Sequence, residues 1–277
     1  MINVDKYLEE VLAIAHPLAP LDMPLLDAHN ATLSSDVYAG ERLVLRAGRR
    51  IRSTHIGLAA SIGLDHLPTR PHPRVVVISA GEDLTEPGHT IDERHSYEAN
   101  SWLLTTAVRE AEAIGYRVHT IPDTTEELKD LIEDQLVRAD LIVISGERND
   151  DSFDLITRTL QKMGEITTLN LAIENSGRHN FGQIGPDKTP VVTLPGDPIN
   201  AYISFELFVR PMIRTMLGVA TIHRPSVKAK LEKSITSTPG TRSYIRAILS
   251  EDATSVRALE IQDEISTLSD ANSFIAL

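Results

Sequence analysis

Three short loops are rich in acidic residues. SAGEDLTEPG (79–88) carries Glu82, Asp83 and Glu86, SGERNDDSFD (145–154) carries Asp150, Asp151 and Asp154, and PGDP (195–198) carries Asp197. Each loop opens on a small residue with Gly, or on Pro-Gly, so its backbone can approach a ligand closely. Carboxylates gathered in this way are the donors that Mg²⁺ takes together with the phosphate oxygens of a substrate. The competing reading of each acid alone is a solvated loop charge or a helix cap. Arg148 and Arg178 lie in predicted loops and supply cations suited to a phosphate. Arg158 and Lys162 are four apart in a helical stretch, which fits a solvated face. The ten His are scattered, with no HExxH or paired metal-ligand spacing.

The elements that must position these loops follow from the apolar pattern. Val75–Ile78 and Leu141–Ile144 are near-continuous apolar runs of the kind a parallel strand covered on both faces requires. Val191–Leu194 is a third such run. It ends at Pro195 and Gly196, after which Asp197 is an N-cap, Pro198 the first helical residue, and Gly218 the stop of a long helix. Helices are predicted over 97–114, closed by Gly115, over 126–138, capped by Thr124 or Thr125, and over 152–163, closed by Gly164. Val118–Ile121 reads as a strand, and 166–184 as a hairpin around Asn175-Ser176-Gly177. Strands alternating with helices give a parallel sheet with right-handed crossovers and a ligand site at the carboxyl ends of its strands. The three loops therefore converge there.

The flanks read differently. Val4–Ala15 is an amphipathic helix, followed by short extended pieces and a helix over 53–62 capped by Ser53 or Thr54. The sequence DHLPTRPHPR (65–74), with three prolines, reads as a linker. After Gly218 come four short strand candidates with no helices between them. The resulting division is an N-terminal helical and extended linker domain (1–72), an α/β domain (73–221) and a C-terminal β domain (222–277).

Composition narrows the function classes. The chain has 277 residues, a formal net charge of −12 and no cysteine. Disulfides and thiolate metal sites are excluded, which suits a cytoplasmic protein. The acidic balance argues against a general nucleic-acid surface. No stretch reads as a membrane span or a signal peptide.

In this order, SAGEDL (79–84), EANSWLL (98–104), ISG…FD (144–154), LPGDP (194–198) and FELFVRP (205–211) resemble the molybdopterin molybdenumtransferases (MoeA and the matching domain of gephyrin) over nearly the whole chain. The resemblance implies a three-layer α/β/α molybdopterin-binding core with a mostly parallel sheet, a small C-terminal β domain and a homodimer that meets other molybdenum-cofactor biosynthesis proteins. It implies insertion of molybdate into adenylylated molybdopterin with Mg²⁺, releasing AMP. Under it Asp154 and Glu98 are catalytic, and Asp83 and Asp154 hold the metal. Ser79, Gly81, Glu82, Asn100, Ser145, Gly146, Arg178, Pro195, Gly196 and Asp197 bind the ligand.

The chain departs from that family's pattern in several places. The acids of Ser-Thr-Gly-Asp-Glu-Leu are swapped in Glu82-Asp83, and Asp-Ser-Asn becomes Glu98-Ala99-Asn100. Ser-Gly-Gly-Val-Ser becomes Ser145-Gly146-Glu147-Arg148-Asn149, which puts a charged side chain where a glycine let backbone meet an anion. Lys-Pro-Gly-Lys-Pro becomes Glu174-Asn175-Ser176-Gly177-Arg178. Two lysines that would face molybdate are replaced, and Glu174 would repel it. The family's inserted domain near Val37–Gly40, with its Asn-Ser-Ala-Met-Asp-Gly-Tyr motif, has no counterpart. Two readings stay open: an enzyme of molybdenum-cofactor biosynthesis, or an impaired paralogue that binds molybdopterin or a partner without inserting metal.

Overall fold

The computed structural model describes residues 1–81, 83–119, 121–146, 150–260 and 265–277, with backbone alone for Asp150. Helix α1 (Val4–Ala13) is capped by Asn3, whose side chain accepts from the Asp5 N–H. Its apolar face, Val4, Tyr7 and Val11, is buried in the core of the central α/β domain. Strands β1 (Leu21–Pro24), β2 (Thr32–Leu33), β3 (Val37–Ala39) and β4 (Arg42–Leu45), helix α2 (Ser53–Ser61) and strand β5 (His66–Arg70) follow. The cap of α2 is Arg52 rather than Ser53 or Thr54, because the His55 ring accepts the Arg52 backbone N–H.

The proline-rich stretch is not a linker. Residues 66–70 form the middle strand of a three-stranded sheet in the order β1-β5-β2. Proline is tolerated there because Pro68 needs to offer only its carbonyl, which accepts from the Ser34 N–H. Strands β3 and β4 form a tight hairpin through Gly40, whose φ is +62°.

The central domain comprises β6 (Arg74–Ser79), β7 (Leu84–Thr85), β8 (Ser96–Tyr97), α3 (Asn100–Glu110), β9 (Ile114–Arg117), α4 (Thr125–Leu136), β10 (Leu141–Ser145), α5 (Asp150–Gln161), β11 (Gly164–Asn170), β12 (Arg178–Ile184), β13 (Thr189–Leu194), α6 (Pro198–Ser204) and α7 (Arg210–Met216). A π-helical turn, Phe205–Val209, joins α6 to α7. The sheet order is β11-β12-β13-β10-β6-β9. Strands β9, β6, β10 and β13 are parallel, whereas β12 and β11 add an antiparallel edge. Both faces are covered, one by α1, α3, α6 and α7 and the other by α4 and α5, so every residue of β10 is buried. This is the three-layer, mostly parallel α/β core expected from the sequence.

Two glycines expected to stop helices lie in strands instead. Helix α3 ends at Glu110, and Gly115 is in β9, where a Cβ would lie 2.8 Å from the Thr105 carbonyl oxygen. Helix α5 ends at Gln161, and Gly164 opens β11, where a Cβ would lie 2.1 Å from the Gln183 carbonyl oxygen. Both positions need glycine for close approach of a neighbour rather than for a turn. The strand expected over 118–121 lies earlier, at 114–117.

The C-terminal part contains β14 (Lys230–Leu231), β15 (Tyr244–Leu249), β16 (Ser255–Ala258) and β17 (Ser273–Ala276), in the order β14-β16-β15-β17. A short helix, α8 (Ser266–Asp270), interrupts the run of strands, contrary to the expectation of none. Arg242 donates twice to Asp5 on α1, at 2.9 and 3.0 Å, which ties this part to the central domain.

Candidate functional site: a crevice at the strand ends

Parallel pairing brings the carboxyl ends of three strands into line. Ser79 on β6 is level with Ser145 on β10, and Ser145 is level with Leu194 on β13. The loops beginning at 80, 146 and 195 therefore leave the sheet side by side, as the order of apolar runs and loops required. The Ala80 N–H donates to the Ser145 carbonyl at 2.9 Å, so the first two loops remain paired beyond the strands. Gly81 adopts a φ of +151°, open mainly to glycine, and its N–H donates to the Pro122 carbonyl.

The third loop turns into α6 through local chemistry. The Asp197 carboxylate accepts the Asn200 N–H at 3.0 Å, and Pro198 follows at the first helical position, where a missing N–H costs nothing. Asn100, the first residue of α3, binds this corner to the second loop. Its Nδ2 donates to Ser145 Oγ at 2.7 Å and to the Gly196 carbonyl at 2.8 Å. Ser145 Oγ in turn donates to the Pro195 carbonyl at 3.3 Å. Asn100 Oδ1 is buried and has no hydrogen-bond partner among the described residues, an acceptor that costs about 1–3 kcal/mol while unpaired. At Gly146 a Cβ would sit 3.1 Å from Ile156, so α5 packs tightly beneath that loop.

Glu98 is 1% exposed and its carboxylate is fully engaged. Ser79 Oγ and the Ser101 N–H each donate to Oε1 at 2.7 Å, and Ser101 Oγ donates to Oε2 at 2.5 Å. Arg117 Nη1 lies 3.8 Å from Oε2. Buried charge requires such partners. Glu98 thereby fixes the end of β6 and the start of α3, and both its oxygens are occupied by groups that position the crevice. Arg117, which the sequence reading left out of the site, also donates to both oxygens of Glu86, at 2.7 and 3.2 Å. Its place was legible only once β9 is set at 114–117, which puts residue 117 at the same sheet edge.

Asp154 and Arg178 meet at the other side of the crevice. Because β12 runs antiparallel to β13, its first residue, Arg178, lies at the edge where β13 ends. Arg178 Nη1 donates to Asp154 Oδ1 at 3.0 Å, and its guanidinium stacks 4.3 Å from the Phe153 ring. Asp154 is half exposed. Asp83 enters the parallel β7–β8 pairing, where its carbonyl accepts from the Ser96 N–H. The described residues include no cluster of three side chains able to hold a metal. A Mg²⁺ ion carried on ligand phosphates would need only one or two carboxylates, and Asp154, paired through Oδ1 with Arg178, is a half-exposed carboxylate at this edge.

Glu174 is engaged by residues of the C-terminal part. Thr238 and Ser243 donate to its two carboxylate oxygens at 2.9 and 2.6 Å, and these bonds hold its carboxyl below the usual range. The carboxylate serves the junction with the C-terminal part. Glu82 and Glu147, Arg148 and Asn149 lie outside the described residues. Beneath the edge, His179 is fully buried among Tyr7, Phe181 and Phe208, with Nε2 2.7 Å from Ser176 Oγ. Burial pushes its imidazole down to about 4.

With this geometry in view, comparison with known proteins is specific. A family model described as "Probable molybdopterin binding domain" matches residues 76–215. Molybdopterin molybdenumtransferase 1 of Mycobacterium tuberculosis is 33% identical over 217 residues, 78% of this chain and 51% of that protein. Molybdopterin molybdenumtransferase 2 of the same organism is 34% identical over 234 residues, 82% of this chain and 57% of that protein. The chain thus spans about half the length of the curated relatives it matches. A crystal structure of the molybdopterin biosynthesis MoeA protein of Pyrococcus horikoshii shares the fold, with a TM-score of 0.83 at 18% identity over all of this chain and 94% of that one. No helix among the described residues is long and apolar enough to cross a membrane. The chain belongs to the MoeA (molybdopterin molybdenumtransferase) family and carries that family's molybdopterin-binding domain.

Proposed function

We propose that the strand-end crevice binds adenylylated molybdopterin and that the protein inserts molybdate into it, releasing AMP. The observation that carries this reading is the Asn100 amide, which holds Ser145 and Gly196 together and leaves Oδ1 buried without a donor among the described residues. A pterin edge rich in N–H groups satisfies such an acceptor, and the Pro195–Pro198 turn into α6 suits an anion. Arg178 supplies a cation at this sheet edge and Asp154 a carboxylate for a Mg²⁺ ion that arrives with the phosphates. When bound, that ion neutralises charge on the phosphate oxygens. The chain's own residues bind and orient the ligand, with Glu98 as a positioning group.

The second reading, binding without insertion, is favoured by Glu147 and by the replacement of both lysines in 174–178. The Glu174 carboxylate, held in its charged form by Ser243 and Thr238, is bonded into the junction with the C-terminal part. Homodimerisation, contact with other proteins of the pathway and a cytoplasmic site of action go with the proposed role. The test is titration of the purified protein with adenylylated molybdopterin, followed by addition of molybdate and Mg²⁺. Binding followed by AMP release supports insertion, binding without release supports the second reading, and no binding overturns both.

A further inference from the structure

Between β6 and α3 the chain makes an excursion that is closed at its base. There β7 pairs with β8, and the Ser96 and Glu98 N–H groups donate to the Asp83 and Thr85 carbonyls, each at 2.8 Å. Two carboxylates flank this base: Glu86 directly follows β7, and Glu98 directly follows β8. Both meet one cation. Arg117 is the last residue of β9, and its side chain is 10% exposed. Its Nη1 donates to Glu86 Oε1 at 2.7 Å and to Ser101 Oγ at 3.1 Å. Its Nη2 donates to Glu86 Oε2 at 3.2 Å and to His119 Nδ1 at 2.8 Å. Glu98 Oε2 lies 3.8 Å from Nη1. The Trp102 indole covers one face of the guanidinium, whose central carbon is 4.0 Å from the ring centroid.

Within the excursion, Asp92 accepts from His95 and Tyr97 donates to the His89 carbonyl, so these side chains bond locally, whereas Glu86 reaches the sheet. Glu98 carries the grip onward, since it accepts from Ser79 at the end of β6 and from Ser101, the residue after Asn100. We infer that Arg117 is a positioning residue for the ligand of the crevice. It clamps both ends of the excursion to the sheet edge, and through Glu98 and Ser101 it sets the start of α3, from which Asn100 reaches Ser145 and Gly196. The planar fork is suited to this task, because its two terminal nitrogens carry four N–H groups that meet acceptors in several directions at once. A site held in its binding geometry before the ligand arrives loses less freedom on binding, so the clamp acts on affinity. The inference rests on the proposal that the crevice takes adenylylated molybdopterin.

The experiment uses the full chain and compares the parent with R117M, R117K and E86A. Hydrogen exchange is resolved along the chain, and adenylylated molybdopterin is titrated by calorimetry. In R117M, exchange over 84–101 is expected to rise about tenfold or more while that of β10 and β13 stays near the parent's, and affinity is expected to fall about tenfold. R117K keeps the charge on a single nitrogen and is expected to bind between R117M and the parent. E86A truncates a partly exposed side chain and leaves Glu98 beside Arg117. It is expected to raise exchange over 86–97 and to weaken binding about threefold. If R117M binds as tightly as the parent, or if its exchange rises equally throughout the chain, the clamp is overturned while the crevice reading stands. Should R117M not fold, E86A decides: parent-like exchange over 86–97 together with parent-like affinity overturns the clamp. If the parent does not bind the ligand, both fall.

Discussion

The side-chain amide of Asn100 donates at 2.8 Å to the carbonyl oxygen of Gly196, linking the first residue of one helix to the turn that starts another. The same amide donates to Ser145 Oγ at 2.7 Å, so one side chain sets the relative positions of two loops. N100A removes both bonds and leaves buried acceptors unpaired, at about 1–3 kcal/mol. N100D turns a carboxylate oxygen toward the Gly196 carbonyl and is expected to cost more. Thermal melts and ligand titration of the two variants check this. Equal melting temperature and affinity for N100D and the parent would show that the amide does not organise the crevice.

Arg178 and Asp154 form a partly exposed pair, so their attraction contributes little to stability, below about 1 kcal/mol. R178M is therefore expected to melt close to the parent. Its affinity for adenylylated molybdopterin should fall, and the salt dependence of binding should flatten, because the cation proposed to meet the phosphate is removed. D154N is expected to lose the Mg²⁺ dependence of binding. A titration series over salt and Mg²⁺ concentration measures both effects.

His179 makes stability fall in acid. Its folded value is near 4, below the ordinary value of 6.5, so the unfolded chain binds the extra proton first. The stabilisation is complete above about pH 6.5, decreases as pH falls towards 4, and amounts to about 3 kcal/mol at most. H179Q is expected to flatten the pH dependence of denaturant midpoints in that window. An unchanged slope in H179Q would assign the acid sensitivity to other groups.

At Gly115 an added Cβ meets the Thr105 carbonyl oxygen at 2.8 Å and the Thr105 methyl at 3.0 Å. The helix α3 cannot keep its present distance from β9 with alanine there. G115A is expected to lose about 1–3 kcal/mol. Because α3 carries Asn100, ligand affinity should fall with it. Urea unfolding and a binding titration on one preparation report both.

The parts of the fold that local chemistry determines were legible in the sequence. Val75–Ile78 and Leu141–Ile144 are apolar throughout because both faces of their strands are covered. The Pro195–Pro198 corner announced itself because Asp197 caps and Pro198 starts a helix using neighbours in sequence. What escaped depends on distant partners. His66–Arg70 is a strand because Leu21–Pro24 pairs with it, and nothing within the segment indicates that. Gly115 and Gly164 look like helix stops, but they answer to backbone brought close by the sheet. Within the site, the three converging loops were readable from topology. The roles of Arg117 and Glu174 were not, since each is defined by contacts with residues 16 to 69 positions away.

Release of AMP from adenylylated molybdopterin on addition of molybdate and Mg²⁺ bears most directly on the proposed function. The purified protein, saturated with the adenylylated ligand, is expected to release AMP when both are added. It should do so poorly when N100D replaces the parent. Saturable binding with no AMP release under the same conditions would contradict molybdate insertion by this chain.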